Sequence, residues 1–149
     1  MMKDKMEIIY KKNRKLNIAS ANEINENIIE DHNRKYVVMI NVANNYEINI
    51  IEKYIQAFLN KNCVQIYCTN ILSEKMHDIF DDYIAEYNSL NHDSLNITTT
   101  WDKKCSLKEM LLYFFDTVGK YNDVDFYVII ENKNIEKNII KYFNKCFIN

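Results

Sequence analysis

Cys68, His77 and Asp78 are the residues of this chain whose types suit nucleophilic chemistry. A thiolate attacks, an imidazole takes its proton and a carboxylate orients the imidazole, provided the three converge within hydrogen-bond reach. Cys68 closes a short apolar run, whereas His77 falls about a full turn into the segment that follows, and nothing in the spacing aims it back at the thiol. His77 and Asp81 are four residues apart and therefore neighbours on one helix face. Asp78, Asp81, Asp82 and Glu86 share that segment, so the competing reading is an acidic face turned to solvent. Trp101, the single tryptophan, and Asp102 complete the group. The indole suits a stacking platform or an interface anchor, and equally a lid over the core at a strand end. Thr98, Thr99 and Thr100 offer hydroxyls to a ligand, yet Thr is also simply a good strand residue.

No other cluster suggests chemistry. The four cysteines, Cys63, Cys68, Cys105 and Cys146, include no C-x-x-C pair, and His32, His77 and His92 complete no zinc spacing. No metal is expected, and free, partly buried thiols fit a reducing cytoplasm. His77-Asp78 is also the pair used by metal-dependent phosphohydrolases, but their further His and Asp ligands on other helices have no counterpart here. The chain has one Gly, Gly119, and no Pro. Loops that cradle phosphates need glycines so that backbone N–H groups can approach the anion, so nucleotide cofactors held in the usual way are not expected. A net charge of −2 and a pI near 5.9 give no general attraction for nucleic acid. Lys11, Lys12, Arg14 and Lys15 then read as a solvated segment. Met1 to Tyr10 is charged and no apolar stretch is long enough to span a bilayer, so the expected place is the cytoplasm, without membrane contact.

The elements that must position these residues show in the hydrophobic rhythm. Tyr36-Val37-Val38-Met39-Ile40-Asn41-Val42 is nearly continuous, β-branched and too short for a helix, as expected of a strand covered on both faces. Ile48, Ile51, Ile55, Phe58 and Leu59 recur at helical spacing, and Cys63 to Cys68 reads as a second strand. After Ser73, read as an N-cap, Met76, Ile79, Phe80, Tyr83, Ile84 and Tyr87 define one helix face. A third strand runs through Leu95, Ile97 and Thr98 to Trp101. Ser106-Leu107-Lys108-Glu109 has capping-box form and opens a helix through Leu107, Met110, Leu111, Phe114, Phe115 and Val118, ended by Gly119 in a left-handed conformation. Val124 to Ile130 is a fourth strand, and Ile135, Ile139, Ile140, Phe143 and Phe147 mark the last helix.

At 149 residues, 48 % hydrophobic and 27 % charged, the chain suits one ordinary domain. Strands joined by helices of this length predict an α/β domain over residues 36–149. Its sheet is mainly parallel, with four or five strands flanked by helices, in a Rossmann-like order without a Gly-rich loop. Residues 1–35 read as an N-terminal extension packed on the domain, with a short strand at Glu7 to Tyr10, a helix capped by Ser20 and carrying Ile24, Ile28 and Ile29, or both. Ligands of such sheets bind outside the carboxyl ends of the strands. Those ends carry Asn41 to Asn45, Cys68-Thr69-Asn70, Thr100-Trp101-Asp102 and Glu131-Asn132.

Residues 36–131 resemble a small bacterial family known only as a domain of unknown function. The resemblance rests on Tyr67-Cys68-Thr69-Asn70, His77-Asp78, Thr99-Thr100-Trp101 and Ser106-Leu107-Lys108-Glu109 in that order, over about two thirds of the chain. It implies the strand-end surface and this fold, and carries no activity. Two positions depart from it: Trp-Gly is expected where Thr69-Asn70 stands, and a His where Asp102 stands.

The leading expectation is a non-catalytic recognition protein, of immunity, antitoxin or defence-accessory type. It would bind another protein through Asp78, Asp81, Asp82, Glu86, Trp101 and Asp102. The first alternative is a small-molecule-binding or hydrolytic enzyme using Cys68, His77 and Asp78 in a strand-end crevice. The second is a homo-oligomeric structural subunit.

Overall fold

The computed structural model describes residues 7–11, 14–31, 33–118, 124–131 and 133–147. Gly119, expected to end the third helix, lies outside them, as do Lys12, His32 and Asn132.

The hydrophobic rhythm becomes one mixed sheet of six strands: β1 (Glu7–Lys11), β2 (Arg14–Ser20), β3 (Tyr36–Asn41), β4 (Cys63–Thr69), β5 (Thr98–Asp102) and β6 (Asp125–Ile130). Their spatial order is β1-β2-β6-β3-β4-β5, and among the described residues only the β1–β2 pair is antiparallel. The expectation of four or five strands therefore becomes six. The order also differs from the Rossmann one, because β6, last in the chain, inserts at the centre between β2 and β3. Every side chain of β3 and β6 is accordingly buried, which is why both read as nearly continuous apolar runs.

Successive side chains alternate between two cores. Tyr36, Val38, Ile40, Ile66, Cys68, Tyr127 and Ile129 face one layer; Val37, Met39, Tyr67, Phe126, Val128 and Ile130 face the other. The first layer holds α1 (Asn45–Lys53), a 3₁₀ turn at Ile55–Phe58 and α2 (Ser73–Leu90). The second holds α3 (Leu107–Leu112), which runs on through the wider π turns of Tyr113–Val118, and α4 (Glu136–Cys146). Both α1 and α2 return the chain to the next strand along one face. The α3 segment instead crosses behind the opposite face from the β5 edge to the centre, and its adjacent Phe114 and Phe115 both reach the core.

The helix ends follow local chemistry. Ser106 and Glu109 form the expected capping box on α3, and Asn44 caps α1 by accepting from Glu47 N–H at 2.9 Å. Ser73 is not the cap of α2: Leu72 holds that place, and Ser73 is the first helical residue, fully buried. Met76, Phe80 and Ile84 dock α2, together contributing roughly 5–9 kcal/mol of apolar burial before entropy is subtracted.

The short strand expected at Glu7 to Tyr10 is present as β1, while residues 14–31 differ from the expectation. No helix follows Ser20; a single 3₁₀ turn at Ala21–Glu23 leads into an irregular segment that still buries Ile24, Ile28 and Ile29. Arg14 and Lys15 are not a solvated basic segment but the start of β2. The Arg14 guanidinium lies 4.3 Å from the centre of the Phe147 ring, and the buried Lys15 pairs with Glu30 at 3.2 Å. No helix among the described residues is long and apolar enough to cross a membrane.

Candidate functional site

α2 and β5 bring most of the expected site residues together. The His77 ring lies 6.5 Å from the Trp101 ring, tilted by 59°. Its Nδ1 is 3.0 Å from an Asp78 carboxylate oxygen and its Nε2 is 3.4 Å from Asp81. Asp81 in turn accepts a hydrogen bond from the Thr99 hydroxyl, tying the helix to the strand. Trp101 is 41 % exposed, and Asp78, Asp81, Asp82 and Glu86 are all exposed. The ring is thus open to solvent at a sheet edge, not a lid over the core.

Cys68 stands apart from this surface although Trp101 is its direct partner in the β4–β5 register. It is fully buried in the layer beneath α2, where burial, and then the charge of Asp81, push its thiol far above the ordinary range. Both His77 nitrogens are already engaged by aspartates. A thiol buried and held protonated is a poor nucleophile. A cleft of about 470 Å³ opens beside the first turns of α2, with Ile71, Leu72, Ile79, Asp78 and Asp82 among its lining. None of Cys68, His77 or Trp101 lines it. The pocket that an enzyme built on those three residues requires is not formed by it.

Asp102 is turned to local work. Its carboxylate accepts the backbone N–H groups of Lys104 and Cys105, each at 3.1 Å. Hydrogen bonding with the Cys105 thiol holds the Asp102 carboxyl below the ordinary range and pushes that thiol up to about 11.

At the switch point between β3 and β6 the chain leaves toward opposite faces, and the strand ends there are joined by a polar network. Asn41 donates to the Thr69 hydroxyl at 2.8 Å, Thr69 donates to the Ile40 carbonyl at 3.2 Å and Asn70 donates to Asn41 at 3.2 Å. Asn70 adopts a φ of 82°, a left-handed conformation that Asn tolerates better than most residues. The Glu131 carboxylate accepts from Ala43 N–H at 2.7 Å and from the Asn44 amide at 2.9 Å. It occupies one backbone donor, Ala43 N–H, and the cap side chain just before α1, near where such folds commonly seat an anionic ligand.

A buried cluster at the other end of the strands escaped the sequence reading. One Asp125 oxygen accepts from Lys15 N–H at 3.2 Å and from Arg34 Nε at 3.0 Å. Tyr127 accepts Glu30 N–H through its hydroxyl at 3.1 Å. Burial alone would lower the Lys15 ammonium, but Tyr127, Glu30 and Asp125 together raise it. The available signal was Leu16 and Ile18 alternating with polar residues, obscured because those polar residues face this cluster. Among the described residues no group of His, Cys, Asp and Glu is arranged to hold a metal ion.

A single sheet with five parallel strands and helices on both faces, lacking a glycine phosphate loop, defines an α/β protein, with exposed aspartates and Trp101 side by side at the α2–β5 rim. The chain belongs to the family described as a domain of unknown function, DUF7684, whose model matches residues 14–146. That span takes in β2 along with the rest of the parallel sheet. No curated protein and no solved structure matches the chain.

Proposed function

We propose that this protein is a non-catalytic recognition module that captures another protein through the α2–β5 surface, in the manner of an immunity or antitoxin-like protein or a defence accessory. The observation that carries this reading is the contrast between Trp101, open beside unburied aspartates, and Cys68, sealed beneath them. Exposed aromatic rings flanked by charge are typical anchors of protein interfaces. The aspartates would steer association with a basic partner, and Trp101 would supply most of the burial.

Affinity capture from the source cell tests this, with wild type set beside Asp81→Lys/Asp82→Lys and Trp101→Ala at matched stability. Capture should fall about tenfold or more in both variants, as for loss of an interface anchor worth roughly 2 kcal/mol. Unchanged recovery of the same partner by both variants rejects this surface.

A further inference from the structure

The outer side of β5 is open, and we propose that it accepts an extended segment of a partner protein with Lys or Arg at alternate positions, added as a seventh strand. This rests on the recognition reading above and supplies its mode. β5 ends the strand order and pairs only with β4, so the backbone groups on its other side have no strand partner among the described residues. Such edges template the addition of another chain, and proteins usually blunt them with Lys, Pro or a bulge. Thr98-Thr99-Thr100-Trp101 contains no Lys or Pro, and Thr and Trp favour strands. β1, at the opposite edge, has Glu7 and Lys11 at its two ends.

The charge around β5 selects the occupant. Thr99 and Trp101 point toward α2, touching Asp81 and His77, while Thr100 points the other way and accepts from Gln65. A strand laid beside β5 therefore presents every second side chain to the α2 flank. On the side of α2 nearest β5, Asp78 and Asp81 meet His77 and have no Lys or Arg partner among the described residues. Lys103, 5.7 Å from the Trp101 ring, is paired with Glu74. The surplus on that flank is negative, and alternating cations complement it. A second copy fits less well: antiparallel pairing of two β5 strands about a twofold axis would set the two acidic α2 flanks on the same face, carboxylate toward carboxylate.

Trp101, the single tryptophan, reports directly on the edge. The full chain is titrated with a nine-residue peptide of alternating Lys and Thr, with its Glu/Thr counterpart, and with two Lys/Thr peptides N-methylated at either the odd or the even amides. Trp101 emission is followed, and sedimentation gives the oligomeric state. The expected result is a saturable response to the Lys/Thr peptide, none to the Glu/Thr peptide, and at least tenfold weaker binding for one N-methylated set only, the one whose amides face β5. Binding insensitive to both methylation patterns overturns strand addition while leaving the acidic-surface reading intact. No saturable response to the Lys/Thr peptide, or an equal response to the Glu/Thr peptide, overturns the proposal. So does sedimentation of a dimer that Thr98→Lys converts to monomer, since a second copy would then occupy the edge.

Discussion

Asp125 opens β6 and Asp81 lies beside β5 of the same sheet, each next to nitrogen-bearing side chains, yet the surroundings give them opposite uses. The Asp125 side chain is 2 % exposed, and one of its oxygens is 2.9 Å from Arg34. The Asp81 side chain is 48 % exposed and meets His77 and Thr99 at the rim. A buried carboxylate has no water to fall back on, so it must be matched by fixed partners, and its removal strands them. An exposed one is screened, adds little to stability and stays available to a partner. The first cluster fastens the 21–35 connection over β2 and β6; the second leaves charge at an open edge.

The largest expected effect lies in the buried cluster. Asp125→Ala should lower unfolding free energy by about 3 kcal/mol, the low end for breaking a buried pair, since Arg34 retains some solvent. Urea denaturation measures it, and a loss below about 1 kcal/mol would show that the two clusters do not differ as described.

A middle-sized effect sharpens the exposed side. Asp102 holds the Cys105 thiol near 11 through their hydrogen bond, so the thiolate is scarce at pH 8. Asp102→Asn keeps an oxygen for the Lys104 and Cys105 N–H groups but removes the charge. Allowing for the lower nucleophilicity of a less basic thiolate, Cys105 alkylation at pH 8 should rise about tenfold. Mass spectrometry of the Cys105 peptide reads the rate. The deeply buried Cys63 and Cys68 should remain unlabelled in both proteins.

The smallest effect is the other half of the contrast. Asp81→Lys/Asp82→Lys should change stability by no more than about 0.5 kcal/mol, as for ordinary surface substitutions. A loss comparable to that of Asp125→Ala would mean that the Asp81–Thr99 link is structural.

Legibility followed burial pattern. β3, β4 and β6 were readable because both faces of each are largely apolar, and the buried face of α2 was readable because Met76, Phe80 and Ile84 recur at helical spacing. β2 was not, because Lys15 and Asn17 are polar residues buried against Glu30, Asp125 and the Phe126 carbonyl, which breaks the apolar rhythm. At the site, sequence spacing placed His77 beside Asp81. It could not show that Trp101 lies next to His77 while Cys68, directly across the ladder from Trp101, is sealed from solvent.

What the sequence determined by itself was therefore local: which segments from Tyr36 onward coil and which extend, where α3 is capped, and that no glycine loop is present to seat a phosphate. Strand order, the central place of β6, the open β5 edge and the burial of Cys68 were decided only by tertiary structure. The physical reason is that periodicity reports the contacts of a residue with its own helix or strand, whereas these features depend on which distant segment comes to lie alongside.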